Sequence, residues 1–561
     1  MSEIPPALPG EAGGRDLSGA VPVAPAPLTA WRRVDWRFLL PPERTGCVGY
    51  LGRFPEEEVS VLRESGVRVV ADPPSGCDLD VALVAEADET SVVAAVAAVR
   101  PEGWVLVRLG SLRSRPWSRL RRGSVAGWRR RLQAHGLAVP TAYWHAPTEQ
   151  RSSYVVALDD EVALTDMLRR YHGVRHGLAK SLVARALHRA GVVEILARDV
   201  TVVAQRPAAR PEPTGSPGSR SASPLDEAEL APLLRKGALA ALLVTPWFEA
   251  SRHVVRVYLD RRTGGRAAVT KVPRRPWDVS GILREASSLE ALAACAGGPA
   301  GQVPNVLRLG LGARPFLAET AVDGKPAAPE VVRAQFHPVL HAGFDFVSRL
   351  PRTGRTADES DWFARLLDEP LRRVAELVPL GTSATDLVAR TLGLLEPLSS
   401  LDLPLVFEHG DLGHPNILLM RDGRLGALDW ERSELRGLPG HDLCFFLQYM
   451  AEARRSAFER AAQLDAFDDA FIGRAGWARP WLSRHLDALA VDPALLPSLV
   501  LASWARSSAS LVDRLALTVG PGASPGEESG VGGSALAEAF ALDRDFALWQ
   551  HSAARFHDLI P

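Results

Sequence analysis

Cysteine is scarce, with four in 561 residues. Cys47, Cys77, Cys295 and Cys444 are scattered too widely for paired metal-ligand spacing or a disulfide framework. They are expected to be small buried hydrophobes in a reducing cytoplasm. Excess charge of either sign is also missing, since 65 basic residues face 66 acidic ones. That balance gives no support for a nucleic-acid or membrane-surface partner, both of which favour a basic excess. No apolar run is long enough for a membrane span, so a soluble chain is expected. Residues 1–29, rich in Pro, Gly and Ala, lack a charged start followed by a long apolar run. They read as a disordered tail rather than a signal or anchor. The length exceeds one ordinary core and implies two or three domains.

The most informative stretch is residues 404–431, which reads as strand, polar loop, strand, tight turn, strand. Arg421-Asp422-Gly423-Arg424 fits a hairpin with Asp-Gly at its tip, which would bring the loop and Asp429 into one place. Three groups stand at spacings that suit phosphoryl transfer: Asp411, Asn416 five residues on, and Asp429 after the next apolar run. A triphosphate carries charge that divalent cations and fixed cationic groups must neutralise as the γ-phosphoryl moves. Asn416 and Asp429 offer the oxygen ligands Mg²⁺ takes. Asp411 remains to orient an acceptor hydroxyl and accept its proton.

His409-Gly410-Asp411-Leu412, with Asn416 and then Leu428-Asp429-Trp430-Glu431, resembles the aminoglycoside phosphotransferase and choline kinase family, relatives of the protein kinases. The resemblance covers roughly residues 230–560 and implies a bilobal, protein-kinase-like domain, with a small lobe over 225–328 and a helical large lobe over 329–561. Lys271 ends an apolar strand where that family's lysine holds the α and β phosphates. Glu285, on a helix expected over 278–296, is the acid implied to fix that lysine. The loop 245–252 has no glycine, so backbone amides near Ala250 and Ser251, with the Ser251 hydroxyl, are the implied phosphate-covering groups. Residues 315–324 look like the hinge, where the backbone of Glu319 and Ala321 would meet adenine. His409 and Asp442 are expected to brace the catalytic loop.

Residues 30–160 alternate apolar strands with helical patterns, the signature of a parallel α/β sheet, and 161–205 run on in helical pattern to cap a domain expected over 30–205. The order of strands, with the turn at Arg100-Pro101-Glu102-Gly103-Trp104, resembles a class I methyltransferase, a Rossmann-like domain. Gly49 and Gly52 lie near the end of the first strand and Asp72 follows the second, but the clustered glycine run of such enzymes is missing. Residues 206–224, rich in Pro, Gly and Ser, read as a linker, and 520–534 as a surface insertion.

The expected function is therefore an ATP- and Mg²⁺-dependent phosphotransferase acting on a small-molecule hydroxyl. The alternatives are a non-catalytic nucleotide-binding scaffold and a bifunctional methyltransferase-kinase.

Overall fold

The structure, a computed structural model, describes residues 15–16, 28–41, 45–110, 124–149, 151–171, 193, 197, 199–208, 227–235, 237–246, 251–378, 382–472, 476–519, 537–538 and 540–559. Most of the expected tail 1–29, most of the linker 206–224, Ala250 and the stretch 520–534 lie outside these residues. The chain divides into two compact units, residues 1–278 with 310–318, and residues 279–309 with 319–561.

The first unit is built on one sheet. Its strands are β1 (Arg15–Asp16), β2 (Cys47–Leu51), β3 (Arg68–Ala71), β4 (Leu79–Val84), β5 (Val99–Leu109), β6 (Thr141–Ala146), β7 (Tyr154–Ala157), β8 (Asp199–Gln205), β9 (Leu239–Val244), β10 (His253–Asp260) and β11 (Arg266–Pro273). Within the unit they lie in the order β1-β3-β2-β4-β5-β8-β6-β7-β9-β10-β11. β3, β2, β4 and β5 are parallel, joined by crossovers that include the helices Glu56–Glu64 and Glu89–Ala98. From β5 onward every ladder is antiparallel, beginning with Val105 opposite Ala204. Both faces of the sheet are covered. Ala82 and Val84 enter one buried cluster while Val81 and Leu83 enter another, the two-residue alternation of a strand packed on both sides.

The segment expected to open a separate small lobe instead extends this sheet. β9 pairs with β7, with Val155 opposite Leu243 and Val156 opposite Leu242. β7 would otherwise end the sheet with a row of unpaired backbone groups, which β9 satisfies. The boundary between compact units therefore falls at 278/279 and not within 206–224. β9 ends at Val244, two residues before Pro246, which has no N–H to continue a ladder.

At the carboxyl ends of the parallel strands, where an open α/β sheet usually takes a ligand, the first unit holds an ion-pair network. Arg108 makes two bonds to the Glu58 carboxylate, at 3.1 and 3.0 Å, and lies 2.7 Å from Glu149. The Tyr50 hydroxyl donates to Glu58 at 2.9 Å, and burial and the Glu58 charge raise its pKa well above the usual phenol value. Asp72 has a left-handed backbone (φ 44°), and its carboxylate accepts from the Gly52 N–H at 3.4 Å.

In the second unit, β12 (Val306–Gly310) and β13 (Phe316–Thr320) are followed by β14 (Lys325–Pro326), β15 (Arg352–Arg355), β16 (Pro404–Glu408), β17 (Ile417–Leu419), β18 (Leu425–Ala427) and β19 (Glu434–Gly437). The division between units passes through β12 and β13. Two three-stranded sheets, β14-β17-β18 and β15-β16-β19, hold the stretch singled out in the sequence. Helices supply the rest of the core, which includes Phe407, Trp430, Phe446, Trp504 and Trp549. Ala364–Asp368 makes a π turn before the α-helix Glu369–Leu377. Pro370 explains this, since its missing N–H and bulky ring forbid a regular α turn there. Residues 493–512 are long and apolar enough to cross a membrane, but that window is 72% buried within the fold and serves as a core helix.

Candidate active site

β16 delivers the chain into the loop 409–416. Gly410 is required there, because its φ is +80° and an added Cβ would lie 2.2 Å from the Arg432 carbonyl oxygen. Asp442, at the start of the helix His441–Arg455, takes the His409 N–H at 2.7 Å and the Gly410 N–H at 2.9 Å, one on each carboxylate oxygen. Burial and the Glu408 carboxylate push Asp442 up to about 7, against the opposing pull of these donors and Arg506. His441 beside it is held neutral, its pKa lowered to about 3 by burial and by Arg506.

The His409 ring ties three parts of the site together. Its Nε2 lies 2.8 Å from the Leu428 carbonyl, and its Nδ1 is 3.2 Å from the Asp411 N–H. Since a backbone N–H can only donate and a carbonyl only accept, the neutral ring carries its proton on Nε2. The ring lies against Trp430 with centroids 4.6 Å apart. Both His409 and Asp442 thus brace the loop from beneath.

Asp411 is half-buried, with Oδ2 3.2 Å from Nη1 of Arg432. Burial alone would lower the pKa of Arg432, but Asp411, Asp545 and Glu431 outweigh it and raise it. The Asn416 side-chain N–H donates to the Asp411 carbonyl at 3.1 Å, leaving its Oδ1 as the amide's acceptor. The Leu428 N–H donates to the Asn416 carbonyl at 2.8 Å, so Asn416 and the residue before Asp429 are joined directly. The hairpin brings this about: Ile417 pairs with Ala427 and Leu419 with Leu425, and Gly423 turns the chain at φ +81°. Asp429 has a left-handed backbone (φ 67°, ψ 70°), which turns the chain out of β18 into the short turn Trp430–Arg432. Glu285, buried on the helix Ser280–Ala294, takes the Trp430 N–H at 2.9 Å.

The structure thus brings Asp411, Asn416, Asp429 and Glu285 around one hairpin. Glu319 is buried on β13 and Ala321 follows it. The Thr320 N–H donates to the Asn305 carbonyl at 2.9 Å. Lys271 and Ser251 belong to the first unit. Lys271 is buried on β11, opposite Val255. Ser251 is also buried; its hydroxyl accepts from Arg274 at 2.7 Å and donates to the His253 carbonyl at 3.3 Å. Arg274 in turn grips Asp35 with Nε and Nη2.

An open cleft of about 1060 Å³ adjoins Asp411 in the second unit, lined also by Arg432, Phe445, Tyr449, Phe458 and Arg544. Sequence reasoning missed Arg432, Arg506 and Arg544. Arg432 lies three residues after Asp429 and shares its turn, a local signal that was available. Arg506 and Arg544 approach from helices far along the chain and had none. Arg506 makes two 2.8 Å bonds to the Glu408 carboxylate directly beneath the loop.

No curated protein matches this chain. Among solved structures, a thermostable mutant of aminoglycoside phosphotransferase APH(4)-Ia in complex with ADP and hygromycin B is similar at 15% identity, covering 58% of this chain and 98% of its own, with a TM-score of 0.36. The choline kinase LicA from Streptococcus pneumoniae is similar at 13% identity, covering 57% and 97%, with a TM-score of 0.35. Aminoglycoside phosphotransferase APH(3'')-Id from Streptomyces rimosus reaches 23% identity over 42% of this chain and 90% of its own, with a TM-score of 0.25. The loop, the hairpin and the cleft-side carboxylate all fall within residues 249–484, and that segment matches the model of the phosphotransferase enzyme family and forms a phosphotransferase domain.

Proposed function

We propose that this chain moves the γ-phosphoryl group of ATP onto a hydroxyl of a small molecule. One observation carries the reading: Asp411 stands at an open cleft in a loop pinned from below, with Asn416 hydrogen-bonded to its backbone and Asp429 on the adjoining hairpin. Asp411 orients the acceptor hydroxyl and takes its proton as the oxygen forms a bond to the γ-phosphorus and the bond to the β-phosphate oxygen breaks. Arg432 fixes the carboxylate's position through the contact to Oδ2.

The donor set fits Mg²⁺. Among the described residues no three His, Cys, Asp or Glu side chains gather as a metal cluster. Mg²⁺ does not require one, because it keeps several waters and binds through one or two protein oxygens together with phosphates. The Asn416 Oδ1 and the Asp429 carboxylate would be those oxygens. When bound, Mg²⁺ supplies positive charge that neutralises the phosphates. Lys271 is assigned to the α and β phosphates, and Glu285 keeps the role of an acid that takes the Trp430 N–H beside Asp429. Ser251 is assigned to the phosphate-covering loop through its backbone, since its hydroxyl is held by Arg274 and the His253 carbonyl, and Glu319 and Ala321 to backbone contacts with adenine. A cytoplasmic setting, where ATP is supplied, suits this chemistry.

The test is a screen of hydroxyl-bearing metabolites for ADP release by the full chain. Release that requires both Mg²⁺ and a particular acceptor is expected. Nucleotide binding without release by any acceptor would favour a scaffold instead.

A further inference from the structure

The cleft beside Asp411 contains four carboxylates, Asp411, Glu452, Asp543 and Asp545, and at first sight suits a polycation. Each of them is already committed within the protein. Asp411 faces Arg432 at 3.2 Å. Glu452 accepts from Arg544 Nε at 2.8 Å and from the Gln448 amide at 2.8 Å. Asp545 accepts from Arg544 Nη1 at 2.9 Å and from the Ser507 hydroxyl at 2.6 Å. Asp543 caps the helix Arg544–Ala554, taking the Asp545 and Phe546 N–H groups at 2.9 and 3.0 Å. At Asp411, Glu452 and Asp545 a cationic ligand would compete with guanidinium groups already packed in place, and at Asp543 with the helix cap. Arg544 is among the most firmly held, lying 5.1 Å over the Phe445 ring and 5.5 Å from the Trp504 ring.

The remaining wall is Pro329, Gly413, Ala453, Ala457 and Gln463 with three aromatic rings, of which Phe445 and Tyr449 are largely buried. Phe445 and Tyr449 line the cleft, and His414 stacks on Tyr449 at 6.3 Å with an interplanar angle of 19°. Phe458 also lines it and is 72% exposed, an apolar ring presented to the cleft opening. Such rings reward a flat apolar partner through area burial and offset or edge stacking.

We infer that the acceptor is an uncharged hydroxyl compound carrying a planar apolar ring, held by Phe458 and its aromatic neighbours with the hydroxyl toward Asp411. This rests on the phosphotransfer reading above. Binding of phenyl β-D-glucopyranoside, methyl β-D-glucopyranoside and spermidine to the full chain, measured by calorimetry, tests it. The phenyl glycoside is expected to bind roughly tenfold more tightly than the methyl glycoside, and Phe458→Ala to erase that difference. Because the Phe458 side chain is mostly exposed, the variant should melt as the parent does, and melting curves check this. Equal binding of the two glycosides, binding of neither, or tighter binding of spermidine would overturn the inference. Mg-ATP stabilisation recorded on the same samples separates the two failures. If it is present while the ring preference is absent, only the acceptor class is wrong; if it is absent, the phosphotransfer reading itself fails.

Discussion

Asp411→Ala is expected to lose phosphoryl transfer by a factor of about 10²–10⁴ or more, the range for removing a general base, while largely sparing ATP binding. The distinction follows from the geometry. The side chain touches Arg432 and faces the cleft, whereas the bond that orients Asn416 is made by the backbone carbonyl, which the substitution keeps. Asp411→Asn is the sharper probe, since its amide oxygen can still accept from Arg432 but cannot take a proton at neutral pH. An Asn variant as impaired as the Ala variant assigns the loss to proton acceptance. Recovery in the Asn variant would assign it to positioning, and wild-type activity in both would refute the role.

Arg506→Met is expected to cost about 3–5 kcal/mol of stability, the penalty for leaving a buried carboxylate without its partner. The Glu408 side chain is only 2% exposed, and both its oxygens accept from Arg506. The space around it is closed as well: a Cβ added at Gly437 would lie 2.0 Å from the Glu408 carboxyl carbon. Removing both charges with Glu408→Gln and Arg506→Met should recover much of the loss, since no unpaired ion remains. Urea unfolding of the two single variants and the double variant measures the cycle. A loss in Arg506→Met under about 1 kcal/mol, the size of an exposed pair, would contradict the account. Because Glu408 immediately precedes His409, the destabilised variant should also lose activity.

The parts of the site that were legible in the sequence are those encoded locally. The turn at Asp422-Gly423 fixes a hairpin, and the hairpin fixes which residues meet; Asn416 and Leu428 are joined because Ile417 pairs with Ala427. The bracing by Asp442 was also readable, since a carboxylate opening a helix is placed to accept backbone N–H groups. The pairing of β7 with β9 was not, because antiparallel partners more than eighty residues apart in the chain leave no periodic trace of each other. The same holds for the charge pairs. Glu408 reads as the polar end of a strand and Arg506 as a residue of an apolar helix, and nothing local announces that they meet. The commitment of the cleft's acids to Arg432 and Arg544 is likewise a tertiary fact, and it changes the chemistry the cleft can recognise.

The central claim is most directly tested by the melting temperature of the full chain with ATP, with and without Mg²⁺, for the parent, Asp411→Ala and Asp429→Ala. At a hundredfold excess of ligand over Kd, binding stabilises a folded protein by about 2.7 kcal/mol. The account predicts a Mg²⁺-dependent rise in melting temperature in the parent, kept in Asp411→Ala and weakened in Asp429→Ala. No Mg²⁺-dependent rise in the parent, or an undiminished one in Asp429→Ala, would contradict it.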